Sequence, residues 1–136
     1  MPSKIFVNMP VESVSRSMEF FGQLGYRFNK QFTNENAACM VISEDIYAML
    51  LAKPFFKGFI KTEIADATKV TESLIALSVD SRAEVDALAD KAAKAGATTP
   101  ADPMDHGFMY QRSFKDLDGH HWEIFWMDPS HVHAQQ

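Results

Sequence analysis

The sequence predicts an α+β protein built from two βαβββ modules. Each half contains one amphipathic helix that ends at a glycine, Gly25 in the first half and Gly96 in the second. In each half, one apolar strand precedes the helix and three short strands follow it, so the order of elements is repeated. We therefore expect two βαβββ modules of the same kind.

The first module begins with a strand predicted from Ile5 to Met9, in which alternation places Phe6 and Asn8 on one face. A helix is expected to start at about Ser13, because apolar residues recur after it at helical spacing. Polar turns then separate three short segments with strand character. The predicted strands are 26–33, 37–42 and 46–52.

The second module begins with a predicted strand over 74–80. Ser81 and Glu84 are spaced as a capping box, which predicts the start of the next helix. A weak strand is expected near Thr98. The turn Asp116–Gly119 then joins two stronger strands. Their predicted ranges are 109–115 and 122–127.

One domain is expected, in four parts. These are module one (about 4–53), a connecting segment (54–72), module two (about 73–129) and a polar tail (130–136). The connecting segment exceeds the usual loop length and contains Phe55, Phe56 and Phe59. We interpret these aromatic residues as core between the two sheets, and the alternatives are a lid or a dimer contact.

The composition argues against several classes of protein. A net charge of −5 disfavours nucleic-acid binding. No apolar run approaches the roughly 18 residues of a membrane span, and the first residues lack the apolar region of a signal peptide. The single Cys39 lies in an apolar run, which predicts a buried, unreactive thiol. We expect a cytoplasmic protein that binds neither membranes nor nucleic acids.

Glu123 is the one acidic residue of the otherwise apolar and aromatic final strand. A carboxylate in such a strand costs free energy unless it has a partner, so it marks chemistry, a ligand or a hydrogen-bond network. His121 lies two residues earlier and shares its face. The pair is a candidate acid/base dyad, or the start of a shifted metal site. The structural alternative is a carboxylate capped by Asn8 or Ser78 beside a solvated histidine.

Strand alternation also predicts a mostly apolar pocket around this pair, which is typical of small-molecule sites. Tyr110 and Arg112 share a face and are candidates to clamp a ligand carboxylate or phosphate at its mouth. The alternative is that Arg112 pairs with an acidic neighbour such as Asp105 or Asp118. The segment Met104–Tyr110 is the one most able to reposition as a lid, because Gly107 lies in it and Pro103 precedes it. The predicted pocket residues are Phe6, Asn8, Met49, Leu51, Leu74, Ala76, Ser78, Tyr110, Arg112 and Phe125.

The paired modules resemble the vicinal oxygen chelate superfamily, which contains glyoxalase I, bleomycin-resistance proteins and extradiol dioxygenases. The resemblance is carried by "NMPVESVSRSMEFFGQLGY" near the start and "DLDGHHWE" near the end, and it extends from Ile5 to Pro129. The chain is similar in particular to bacterial lactoylglutathione lyase-like proteins. The resemblance implies two sheets that curl around a central trough, with the helices outside. Members of the superfamily are commonly dimers, so it also implies a homodimer.

In metal-using members each module supplies two ligands, and the resemblance places the four positions at Phe6, Met49, Leu74 and Glu123. Of these side chains, Glu123 alone suits a hard or borderline cation. We therefore expect no metal and no cofactor. The predicted function is binding of a small molecule in an apolar trough with a degenerate metal site. A metal-independent lyase or isomerase using Glu123 with His121 is compatible with it, and the alternative is a metal-dependent lactoylglutathione lyase acting on a glutathione hemithioacetal.

Overall fold

The computed structural model describes residues 3–134, which fall into two compact units, one ending at Asp66 and the other beginning at Ala67. Each unit contains a four-stranded sheet with a long helix packed on one face. The order of elements in each unit is βαβββ, which confirms the α+β class and the two modules. Within residues 3–134, no helix is long and apolar enough to cross a membrane.

The first unit carries β1 (Ile5–Val11), α1 (Val14–Gln23), β2 (Arg27–Phe28), β3 (Ala37–Val41), β4 (Ile46–Ala52) and α2 (Lys53–Lys57). Its strands are ordered β1-β4-β3-β2, with β1 parallel to β4 and the other pairs antiparallel. Helix α1 packs against β3 and β4. Its buried Phe20 and Phe21 supply much of the apolar contact.

Local side-chain hydrogen bonds explain the ends of these elements. Ser13 caps α1, because its hydroxyl accepts from the backbone N–H of Arg16. Strand β2 is shorter than predicted, because residues Lys30–Phe32 form a 3-10 turn. The side chain of Asn29 accepts from the backbone N–H of Gln31 and so stabilises this turn in place of a longer strand.

The second unit carries β5 (Leu74–Ser78), α3 (Arg82–Lys94), β6 (Met104–Asp105), β7 (Met109–Lys115), β8 (His121–Met127) and α4 (Pro129–Ala134). Its strands are ordered β5-β8-β7-β6, with β5 parallel to β8. Helix α3 packs on β7 and β8. The predicted cap is present, since Ser81 accepts from the backbone N–H of Glu84. The predicted strand near Thr98 is an isolated bridge to Lys115, and β6 is the paired strand instead.

Two predicted segments differ from the structure. Phe55 and Phe59 of the connecting segment are 41% and 69% exposed and stack edge-on against each other, so their interpretation as core was wrong. Phe55 lies within the short helix α2, whose first turn holds Pro54, and Phe59 follows that helix. The predicted polar tail begins as helix α4, and its residues 135 and 136 lie outside the described residues.

The turn between β7 and β8 is organised by one buried carboxylate, Asp116. It accepts hydrogen bonds from the indole Nε1 of Trp122 (2.9 Å) and from the backbone N–H groups of Asp118 and His120 (2.9 and 3.0 Å). Burial raises the pKa of Asp116 above its ordinary value, although these hydrogen bonds act in the opposite direction. Gly119 completes the turn with a positive φ of 87°. This turn therefore fixes the register of the hairpin that carries His121 and Glu123.

Replacement of Asp116 by alanine should destabilise the protein by about 3 kcal/mol, because a buried indole N–H and two backbone N–H groups lose their acceptor. Urea unfolding measures this change. Asp102→Ala, at an exposed position, is the control and should alter the free energy of unfolding by about 0.5 kcal/mol or less. A loss below about 1 kcal/mol for Asp116→Ala would show that the turn forms without this carboxylate.

Candidate functional site

The second sheet has two faces of different character. Phe114, Trp122 and Ile124 lie on the face covered by α3 and are buried. Glu123 lies on the opposite face, which we call the Glu123 face. Strand pairing defines its members, because residues directly opposite each other point to the same side. The Glu123 face carries Leu74, Ala76 and Ser78 of β5, His121, Glu123 and Phe125 of β8, and Gln111, Ser113 and Lys115 of β7.

His121 and Glu123 are the polar centre of this face. Nε2 of His121 lies 3.3 Å from Oε2 of Glu123, and their side chains are 14% and 20% exposed. The contact lacks the alignment of a hydrogen bond, and Nε2 is buried without a hydrogen-bond partner among residues 3–134. A buried nitrogen in this state costs free energy. Its hydrogen-bonding capacity is therefore unused in the described part of the chain.

The neighbours of Glu123 on its face are small or apolar. Glu123 lies in register with Ala76 on β5 and with Ser113 on β7. Ser78, a predicted cap for the carboxylate, lies in register with Phe125 instead. The other predicted cap, Asn8, donates from its amide to the backbone carbonyl of Phe6 at 3.2 Å.

The predicted residues of the first module share one face of the first sheet. Phe6 lies in register with Tyr47, and Asn8 with Met49. Leu51 follows Met49 on the same face by alternation. Sequence reasoning missed Tyr47, whose ring stacks on Phe6 with centroids 4.7 Å apart and planes within 10°. The alternation of β4, which places residue 47 on the face of residues 49 and 51, was the available signal.

Cys39 is buried at the centre of this sheet, in register with Met49. Burial raises the pKa of its thiol above the ordinary value. A thiol with a raised pKa forms little thiolate near neutral pH and is a poor nucleophile. The predicted burial of Cys39 is confirmed.

Tyr110 and Arg112 lie on the face against α3, which corrects their predicted position beside Glu123. The hydroxyl of Tyr110 donates to Asp86 at 2.7 Å. Arg112 donates to Asp86 at 3.0 Å and to Asp90 at 2.9 Å. Its acidic partners therefore come from α3 and are not the neighbours expected from the sequence. Both residues join the sheet to its helix.

The segment predicted as a lid is bonded to the start of α3. Arg82 donates two hydrogen bonds to the carboxylate of Asp105 (2.9 and 2.7 Å) and one to the carbonyl of Gly107 (3.1 Å). Its guanidinium also lies over the rings of Tyr110 and Trp126, at 5.1 and 5.4 Å. The hydrogen bonds of Arg82 hold the pKa of Asp105 down at about 2. Arg82 thus links β6 and the β6–β7 turn to the helix-covered face.

The donor set does not suit a metal ion. Among residues 3–134, no three histidine, cysteine, aspartate or glutamate side chains are grouped so that they could hold one. His121 and Glu123 supply two donors, and Leu74, in register with His121, supplies none. Phe6 also lacks a lone pair, and the thioether of Met49 is a soft ligand.

Comparison with known proteins identifies the fold and part of the first module. Residues 4–43 match a bleomycin resistance protein-like N-terminal family. A hypothetical protein from S. aureus is 26% identical, with a TM-score of 0.78 over 93% of this chain and 94% of that chain. A glyoxalase/bleomycin resistance protein/dioxygenase family enzyme from Burkholderia phytofirmans is 18% identical, with a TM-score of 0.76 over 93% and 99%.

The fosfomycin resistance protein FosX from Mesorhizobium loti is 16% identical, with a TM-score of 0.69 over 98% of this chain and 99% of that chain. No curated protein sequence matches the chain. At such low identities, the similarity to the Burkholderia and Mesorhizobium proteins shows a shared fold and does not specify a ligand.

Replacement of Asp105 by asparagine should remove one component of the pH dependence of stability. The folded-state pKa of about 2 lies below the ordinary value of 3.8, so the Arg82 interaction stabilises the protein above about pH 4 and is lost as the pH falls towards 2. The melting temperatures of wild type and Asp105→Asn should therefore become more similar as the pH falls from about 4 to 2. Thermal unfolding from pH 2 to 7 measures this change. Asp102→Asn is the exposed control. A difference that does not vary with pH would contradict the assignment.

Proposed function

Since the chain belongs to the vicinal oxygen chelate superfamily, the group of the glyoxalase, bleomycin-resistance and dioxygenase proteins, we propose that it binds a small molecule on the Glu123 face without a metal ion. The observation that carries the proposal is the His121–Glu123 pair. It combines a carboxylate with a buried imidazole nitrogen that has no hydrogen-bond partner in the described part of the chain. Leu74 and Ala76 add apolar surface beside it. A few convergent polar groups on an apolar surface are the usual form of a small-molecule site.

The residues present favour a metal-independent function over metal-dependent glyoxalase chemistry. Phe6, Met49 and Leu74 stand at three positions where metal-using relatives supply ligands, by the resemblance of the sequence. None of them can replace a carboxylate, imidazole or amide ligand for a divalent cation. His121 adds a single donor beside Glu123, and two donors are fewer than such a site needs.

A second candidate function is metal-independent isomerisation or lyase chemistry at the same pair. Glu123 would take a proton from a carbon next to a carbonyl group of the substrate, and His121 would stabilise or receive that proton. The 3.3 Å contact between the two side chains favours this role, because it places a second titratable group within reach of the first. Turnover that persists in excess chelator and is lost in Glu123→Gln would distinguish catalysis from binding alone.

We also propose that the protein is a cytoplasmic homodimer. The dimer follows from the resemblance, since members of the superfamily commonly associate in pairs. A single buried cysteine is compatible with a reducing compartment.

Glu123→Gln and His121→Ala should each weaken ligand binding roughly tenfold or more, because each removes a hydrogen-bonding group from the site. The measurement is the ligand-induced rise in melting temperature across a library of small acids, carbonyl compounds and aromatic molecules. A compound at about 100 times its Kd stabilises the folded protein by about 2.7 kcal/mol, which such a scan detects. Glu19→Gln, on the exposed side of α1, is the matched control. An equal rise in wild type and Glu123→Gln would place the ligand elsewhere.

Protein purified without a chelator or a histidine tag should contain far less than one metal ion per chain, because the donor set is incomplete. Elemental analysis measures the content, and ligand-induced stabilisation should be unchanged in excess EDTA. One ion per chain in wild type, absent from Glu123→Ala, would show that His121 and Glu123 complete a metal site with other groups.

A further inference from the structure

Two polar residues next to the His121–Glu123 pair on the same face, Lys115 and Thr98, have no role in the function proposed above. Leu74, His121 and Lys115 are in register on β5, β8 and β7, and Thr98 forms a bridge with Lys115. Thr98 and Lys115 exchange two backbone hydrogen bonds of 3.1 and 2.8 Å. Since residues directly opposite each other on paired strands point to one side, these side chains form one line. We call His121, Lys115 and Thr98 the Lys115 row.

The side chains of Lys115 and Thr98 have no polar partner within residues 3–134. The ammonium of Lys115 forms no ion pair there and the hydroxyl of Thr98 forms no hydrogen bond, whereas Nε2 of His121 is buried 3.3 Å from Oε2 of Glu123. By contrast, Lys4 and Arg82 each pair with a carboxylate. Lys115 is only partly exposed, so its unpaired charge favours an anionic group.

Glu123 lies diagonally across from Lys115, in the adjacent row with Ala76 and Ser113. Diagonal neighbours on paired strands have Cα atoms about 7–8 Å apart, so long side chains at two such positions can contact the same small ligand. The cation and the carboxylate therefore call for an acceptor and a donor on one ligand.

We infer that the ligand is a small carboxylic acid that also carries a hydroxyl group and an apolar body. The inference rests on the proposed function, because it uses the same face. The ligand carboxylate accepts from Lys115 and Thr98, and its hydroxyl donates to Glu123. The apolar body lies against Leu74 and Ala76, which are exposed on the edge strand β5.

Three probes of similar shape test this inference by calorimetry. Mandelate has the carboxylate, the hydroxyl and a phenyl ring; phenylacetate lacks the hydroxyl, and mandelamide lacks the charge. Mandelate should bind roughly tenfold tighter than either of the others. Lys115→Gln should abolish the advantage of mandelate over mandelamide, and Glu123→Gln should abolish its advantage over phenylacetate. Lys94→Gln, at an exposed position near the end of α3, should leave all three affinities unchanged.

The outcomes separate the two proposals. If mandelamide or phenylacetate binds as tightly as mandelate, or if Lys115→Gln changes nothing, the inference about the ligand is overturned. If none of the probes binds but another small molecule stabilises wild type and not Glu123→Gln, the inference fails and the proposed function stands. If no small molecule binds through Glu123, both fail.

Discussion

The candidate site depends on the buried carboxylate of Asp116. Its hydrogen bonds to Trp122, Asp118 and His120 close the turn between β7 and β8. A strand that slips by one residue turns every side chain to the opposite face. Because Asp116 binds the indole of a residue between His121 and Glu123, it fixes which side of the sheet each of these three side chains occupies. Burial of this carboxylate costs free energy, as its raised pKa indicates. The same carboxylate fixes the position of the site.

The two faces of the second sheet use polar residues differently. On the helix-covered face, Arg82, Tyr110 and Arg112 all contact carboxylates from α3 or β6. Such satisfied networks join elements and leave little capacity for a ligand. On the Glu123 face, His121 Nε2 is buried without a hydrogen-bond partner in the described chain, and Lys115 has no ion pair there. Unsatisfied polar groups in a folded domain require an explanation, and the proposed ligand would provide one.

The same fold is compatible with different chemistry, because function depends on the side chains that the strands present. In this chain, apolar residues stand at three of the four positions where the resemblance implies metal ligands. The aromatic stack of Phe6 on Tyr47 shows that one of these positions now belongs to an apolar contact. Proteins similar in fold, such as the fosfomycin resistance protein from Mesorhizobium loti, therefore do not specify the ligand here.

The sequence by itself determined the two modules, most strand and helix positions, and that His121 and Phe125 share a face with Glu123. These features follow from local periodicity, caps and turns, which short stretches of chain encode. Tyr110 and Arg112 show the limit of that reasoning, since alternation indicates that they share a face but not which one. The packing of α3 decided it, because Asp86 and Asp90 reach the sheet only once the helix has docked. The exposure of Phe55 and Phe59 was likewise decided by tertiary structure, because an aromatic residue is buried only where another surface covers it.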